Sequence, residues 1–440
     1  MGGLRAGAAS CVITPPVGVD LCGFAGRAGP SIGVHDDLMA KALYLAAGDQ
    51  ALLLITADLI GLSHEQALRI RERIAQAAGI PPDAVMITCS HTHSGPATPA
   101  ISSLGEVNED YIRDLEDKLV AVGAEAAAAA RPATAGWRRE EACIHVNRRQ
   151  VTEHGVVIGQ RAGGLTLPWV DVLAVDDAEG RPLARWFCHA CHAVVLGGEN
   201  RLLTADWPGY AQRPIEAAEP GCVALFAQGC CGDLNPFPRG SFAIAERHGK
   251  TVAGAVIKGA AQAEMTPEPL LAYAVELLAL PLEDPPPAEE AERLAAELEA
   301  DYRAREAEML YAEKQWYGGW VRWARELVEL ARKGATDLSV PYFVQVFRIG
   351  EGAVVGLPGE VFAQYAANLN DGSPAAVTAV AAYTNGYPSY VPTAAAFAEG
   401  GYEVEIAYRA ALPTMLTPAC EHLILAAARH SLRKLFQPGG

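Results

Sequence analysis

The chain has 440 residues, 50% of them hydrophobic and 20% charged, the balance of a globular protein able to bury a substantial core. Its formal charge of −17 excludes a surface built to neutralise phosphates, so no nucleic-acid partner is expected and no basic face is offered to anionic lipid. No apolar run reaches the ~18 residues of a spanning helix, and the stretch MGGLRAGAASCVITPP lacks the apolar segment of a secretion signal. The ten cysteines then read as reduced thiols, and the expected setting is cytoplasmic, without a transmembrane segment.

The first clear unit is βαβ. ALLLITA (51–57) is a short apolar run suited to a strand buried on both faces. Ser63 to Gln66 has the form of a capping box, and Leu68, Ala75 and Ala78 begin a helical stripe that stops at Gly79. AVMITCS (84–90) supplies a second strand, which the short spacing makes parallel to the first. His91 and His93 then lie just past the C-terminal end of a strand, the edge at which open α/β sheets bind ligands.

Residues 108–130 read as an alanine-rich amphipathic helix stopped by Arg131-Pro132. Strand-like runs follow at 141–147, 166–175 and 183–192, and CVALFAQG (222–229) is a buried strand leading into the turn GDLNP. LEDPPP (282–287) breaks the chain. Residues 288–333 form a charged helical insertion with Trp316, Trp320 and Trp323 at helical spacing, either packed on the body or laid as a lid over a substrate. AVVGLPG (353–359) and AVTAVAAYTNGY (376–387) resume the strand pattern. The fold class expected is α/β, with central mixed sheets flanked by helices, in one catalytic domain spanning 1–440.

Three stretches carry chemistry. CSHTHSGP (89–96) holds two histidines, and if its strand continues both project to one side and address a common centre. FCHACHAVVLG (187–197) holds two more histidines with a lone C-x-x-C, weak grounds for a closed structural zinc. Alternation puts Cys188 with His192 and His189 with Cys191, so one histidine faces a site, and spacing does not say which. In GLPGE (356–360) an apolar strand and a Pro-Gly turn lead to Glu360, which reads equally as a ligand or as a helix-start carboxylate. Two imidazoles and one carboxylate make a catalytic zinc set with a place left for water.

Nine motifs in order give the chain its resemblance to the neutral/alkaline (non-lysosomal) ceramidases, over nearly the whole length of their N-terminal catalytic domain. They are ITPP (13–16), GVHDDL (33–38), CSHTHSGP (89–96), HVNR (145–148), ACHAVVLG (190–197), TADWPGY (204–210), AQGCCGDLNP (227–236), LPGE (357–360) and NGYPSYVPT…GGYE (385–403). The resemblance implies a zinc-dependent amidohydrolase of the kind that cleaves ceramide to sphingoid base and fatty acid. Carried over by position, it implies zinc ligands at His91, His192, Glu360 and Tyr390. It also implies catalytic roles for His93 beside the substrate, Arg148 in contact with the substrate region, and Tyr402 near the metal-bound group.

Two departures narrow the expectation. A serine important to the family is matched here by Gly229, leaving extra room and one donor fewer beside the metal, and the neighbouring Cys230 reads as an inert buried thiol. The family's export and its C-terminal β-domain are expected to be absent. The expected substrate is therefore a soluble or short-chain N-acyl amide. The alternatives are a zinc esterase or hydrolase of another small acyl compound, and a non-catalytic metal-binding protein of the same fold.

Overall fold

Strands that are apolar on both faces need cover on both sides, and that requirement sets the architecture. In the computed structural model, which describes residues 3–101 and 103–437, eight strands make one mixed sheet. They are β1 (Arg5–Val12), β2 (Met39–Ala47), β3 (Gln50–Ala57), β4 (Val85–Cys89), β5 (Arg131–Glu141), β6 (Trp169–Asp177), β7 (Pro182–His189) and β8 (Val223–Gln228). Their order is β8-β7-β6-β5-β1-β2-β3-β4. β3 runs parallel to β4, with Leu53 opposite Val85, and β7 runs parallel to β8, with Ala184 opposite Val223. A second mixed sheet contains β9 (Leu271–Pro281), β10 (Ser339–Ile349), β11 (Gly352–Gly356) and β12 (Val377–Ala381), in that order.

Alternation along β3 divides its leucines between two cores. Leu52 and Leu54, with Met86 of β4 and Trp186 of β7, face Phe347, Val354 and Ala379 of the second sheet. Leu53 and Ile55 instead lie under α1 (His64–Ala78) and α2 (Glu109–Ala128), against Ile70 and Leu115. Further along the same outer face, Val172, Phe187 and Phe226 lie under α3 (Asp206–Ala218) and α4 (Phe242–Gln262), against Trp207 and Val252. An antiparallel hairpin of α5 (Ala288–Arg305) and α6 (Tyr311–Arg332) follows β9, and α7 (Ala419–Phe436) packs on β9 and β10. The layers run helix, sheet, sheet, helix, as the mixed α/β pattern predicts. No helix among the described residues is long and apolar enough to cross a membrane.

Several boundaries follow local chemistry. The side chain of Ser63 accepts from Gln66 N–H at 3.2 Å, and Gly79 closes α1 in the left-handed region at φ 69°. The run 166–175 starts as a strand only at Trp169, because Pro168 has no N–H for the ladder. The run 141–147 is two pieces: β5 ends at Glu141, and His145–Asn147 pairs elsewhere, with Leu234–Pro236. The run 183–192 leaves its ladder at His189. The single helical stretch 288–333 is broken at 306–310, where Leu310 is extended and donates its N–H to Glu313 at 2.8 Å.

Gly229 overturns one expectation. Its N–H donates to His189 O at 3.0 Å, and a Cβ placed on it would stand 2.9 Å from the Ala190 nitrogen and Cα. The position is glycine because two backbones meet there, and no spare room exists. Gly229→Ser is expected to lower stability by about 1–3 kcal/mol through overpacking. The check is the urea midpoint at constant slope; an unchanged midpoint would mean that the seam yields freely.

Candidate metal centre

β4, β7, β11 and β12 run out toward one edge where the two sheets meet, and Thr88 and Thr384 join across it with hydroxyls 3.0 Å apart. The segments beyond those ends carry His91 and His93, His192, Glu360, and the tyrosines 383, 387 and 390. The expected continuation of β4 does not occur. The strand stops at Cys89, and His91 adopts φ 58°, a left-handed conformation uncommon for a side-chain-bearing residue. Ser90 N–H to Ala57 O and His91 N–H to Leu59 O, both 2.9 Å, hold that turn. It nevertheless brings the two rings together, with their Nε2 atoms 3.0 Å apart.

The choice left open between His189 and His192 is settled by the same kind of turn. His189 ends β7, donates Nδ1–H to Trp169 O at 2.7 Å and stands edge-on to Trp207. His192, past the turn, joins His91 and His93, the three donor nitrogens lying within 4.8 Å of one another. Gln228, at the end of β8, fastens both histidine loops. Its Nε2 donates to Ser90 O at 3.0 Å and to Cys191 O at 2.9 Å.

The tautomers follow from the partners. His91 Nδ1 lies 2.7 Å from Ile60 O, His93 Nδ1 3.1 Å from Gly23 O, and His192 Nδ1 2.6 Å from Cys231 O. A carbonyl only accepts, so each Nδ1 carries a proton and each Nε2 is left facing the shared centre. Burial pushes His192 down to about 4 and His93 well below its ordinary value, disfavouring a second proton on either ring. Glu360 Oε2 stands 2.9 Å from His192 Nε2 and 3.4 Å from His91 Nε2. Lone pairs and a carboxylate facing one another in a dry pocket repel unless a cation sits among them. The donor set fits a metal ion.

Glu360 pairs residue for residue with Tyr390 on a short parallel ladder. Tyr387 donates its hydroxyl to Glu360 Oε1 at 2.5 Å, turning Oε2 toward the imidazoles. Arg148, expected to contact the substrate region, is bonded to Tyr390. Its Nη2 donates to the Tyr390 hydroxyl at 3.0 Å and its Nε to Glu403 at 2.9 Å. Glu403 also accepts from Arg149 at 2.6 Å, and Asn235 from Arg148 at 3.4 Å. Tyr402 stands beside Tyr390, with ring centroids 5.9 Å apart.

Gln228, Tyr387, Glu403 and Asn235 are absent from the set read in the sequence. One signal was available: adjacent buried arginines require a carboxylate, and GGYE supplies it.

A cavity of about 30 Å3 adjoins His91, His93 and Glu360, walled by Tyr390, Tyr402 and Trp316, room for a water or two. Gly229 lies elsewhere, beside Ala190 and Cys230. A larger cavity, about 470 Å3, is lined by Arg149, Arg161 and Glu399, whose charges already pair with one another. Burial pushes the Cys188, Cys191 and Cys230 thiols well up, so none is a thiolate nucleophile.

No family model and no curated protein matches the sequence. Solved structures do. The neutral ceramidase from Pseudomonas aeruginosa superimposes with a TM-score of 0.73 at 20% identity, covering 99% of this chain and 75% of that one. A ceramidase complexed with C2 gives 0.72 at 19% identity, with the same coverage. The chain has the fold of the neutral ceramidases.

Proposed function

We propose that the protein is a zinc-dependent hydrolase of N-acyl amide bonds, acting on a soluble or short-chain substrate in the cytoplasm. The observation that carries this reading is the convergence of the His91, His93 and His192 Nε2 atoms with the Glu360 carboxylate. Nitrogen and carboxylate donors suit zinc, and the likeness to ceramidases favours an amide as the bond cleaved. The small cavity favours a short acyl group, and ten free thiols suit a reducing compartment.

His91, His192, Glu360 and Tyr390 are the proposed ligands. Zinc in such a set supplies a Lewis acid that polarises the carbonyl and makes water a competent nucleophile near neutral pH. His93 turns its Nε2 to the cavity wall, 3.0 Å from His91 Nε2. It accepts a proton from the attacking water and returns it to the nitrogen, which leaves as an amine, with the acyl half released as a carboxylate. Tyr402 lines the same wall, and its hydroxyl has no hydrogen-bond partner among the described residues, so it is free to donate to the oxyanion. Arg148 holds the Tyr390 hydroxyl in place.

One zinc per chain is expected on elemental analysis, with most of it lost in His192→Ala. A chelator should strip it without unfolding the protein, since the core does not depend on one ion. Zinc that stays in His192→Ala would place the centre elsewhere.

His93→Ala is expected to keep its zinc and lose on the order of 10²-fold in kcat; a metal-free variant would make His93 a ligand instead. Tyr402→Phe should lower kcat by about 10²-fold or more with KM little changed. An equal rise in KM would assign it to ground-state binding. Substrate class is read from kcat/KM for short-chain amides, the matching esters, and long-chain ceramide in micelles. Faster ester cleavage would make the protein an esterase, and a clear preference for ceramide would remove the short-chain limit.

A further inference from the structure

If the amide carbonyl meets the metal among His91, His192 and Glu360, the acyl chain must leave through the adjoining cavity. That space is only about 30 Å3, and its apolar lining includes Trp316, Ile101 and Leu104. Trp316 is 7% exposed and belongs to an apolar cluster with Ile60, Ala97 and Ala100. An indole is large and rigid, and this one lies where a chain would extend.

The helix that carries it is fixed at several points. Tyr311 and Gln315 of α6 both donate to the Asp20 carboxylate, at 3.0 and 2.8 Å. Gly319 brings the helix backbone against the segment below it, since a Cβ there would stand 2.3 Å from Ser103 Cβ. Trp323 Nε1–H donates to Pro413 O at 2.9 Å. Trp320 backs the Trp316 indole with ring centroids 5.6 Å apart, and the Arg409 guanidinium lies 5.0 Å over Trp320. The wall is built to stay in place.

We propose that Trp316 is the specificity-determining residue that limits acyl length, by filling the space a longer chain would enter. The inference rests on the amide-hydrolase reading for its meaning, but its test does not need turnover.

The experiment titrates the zinc-loaded full-length protein with straight-chain carboxylates from acetate to decanoate by calorimetry. Wild type is compared with Trp316→Ala and Trp316→Leu, and kcat/KM is measured on the matching N-acyl amides. In wild type the affinity should stop rising after the first carbon or two. In Trp316→Ala it should keep rising by about fourfold per added methylene. Should the alanine variant fold poorly, as read by its Tm, Trp316→Leu retains an apolar plug and should show a smaller extension.

Wild-type affinity that climbs steadily to decanoate overturns the proposal. So do superimposable profiles in wild type and the folded variants, or no carboxylate binding by any of them. Shifted carboxylate profiles in proteins inert toward every amide would uphold the length limit and reject amide hydrolysis.

Discussion

Each of the three converging imidazoles donates its Nδ1 proton to a backbone carbonyl, and the geometry of the site follows from where those carbonyls stand. They belong to Ile60, Gly23 and Cys231, on three separate segments that only the packed sheets bring together. Once the Nδ1 protons are committed, the Nε2 atoms have no choice but to face inward. Gly23 shows how closely this is set. Its φ is 105°, and a Cβ there would fall 2.3 Å from His93 Nδ1, so no side chain is tolerated where its carbonyl receives that ring. The orientation of the imidazoles is thus set by main-chain carbonyls.

That arrangement requires backbone strain. His91, Asp206, Tyr383 and Asn385 all have φ between 53° and 58°, a left-handed conformation costing of order 1–3 kcal/mol each. His91, Tyr383 and Asn385 lie just past strand ends beside the centre, and Asp206 opens α3. Each is held by more bonds than a turn needs. Asp206 accepts from Val195, Leu196 and Trp207 N–H, and Trp207 Nε1–H in turn donates to His192 O at 3.1 Å. Asn385 accepts from Ile87 N–H at 3.0 Å and donates to Gln345 at 2.6 Å, joining β4 to β10. Tyr383 stacks on His91 with centroids 4.2 Å apart. The strain persists because these contacts over-determine it.

What the sequence reveals is what local periodicity controls. The βαβ unit of β3, α1 and β4 is legible because apolar runs, an N-cap serine and a terminal glycine all agree within 40 residues. The sides taken by His91, His93 and His192 are not legible from alternation, since both strands end before the histidines and the chain turns. Long-range pairs are hidden for a different reason. Arg148 and Glu403 are 255 positions apart, and nothing local in HVNR names its partner. Gly229 misleads because a missing side chain looks like space, whereas Ala190 fills the position. The tryptophans of α6 read as packing or lid, and the structure uses Trp316 for packing and as cavity wall at once.

The charges around the centre explain which groups remain available for chemistry. Arg148 is a guanidinium beside Tyr390, but Glu403, Asn235 and the Tyr390 hydroxyl already engage it, and it is 4% exposed. A cation so engaged cannot follow charge that develops in the cavity. Tyr387 is committed to Glu360, and the Tyr390 hydroxyl accepts a hydrogen bond from Arg148. Tyr402 is the wall phenol without a partner among the described residues, and burial raises its pKa, keeping it a neutral donor. On the proposed mechanism, an oxyanion formed in this cavity would be met by one hydroxyl that gains a hydrogen bond as the charge forms. This is the condition under which an interaction favours the transition state over the bound substrate.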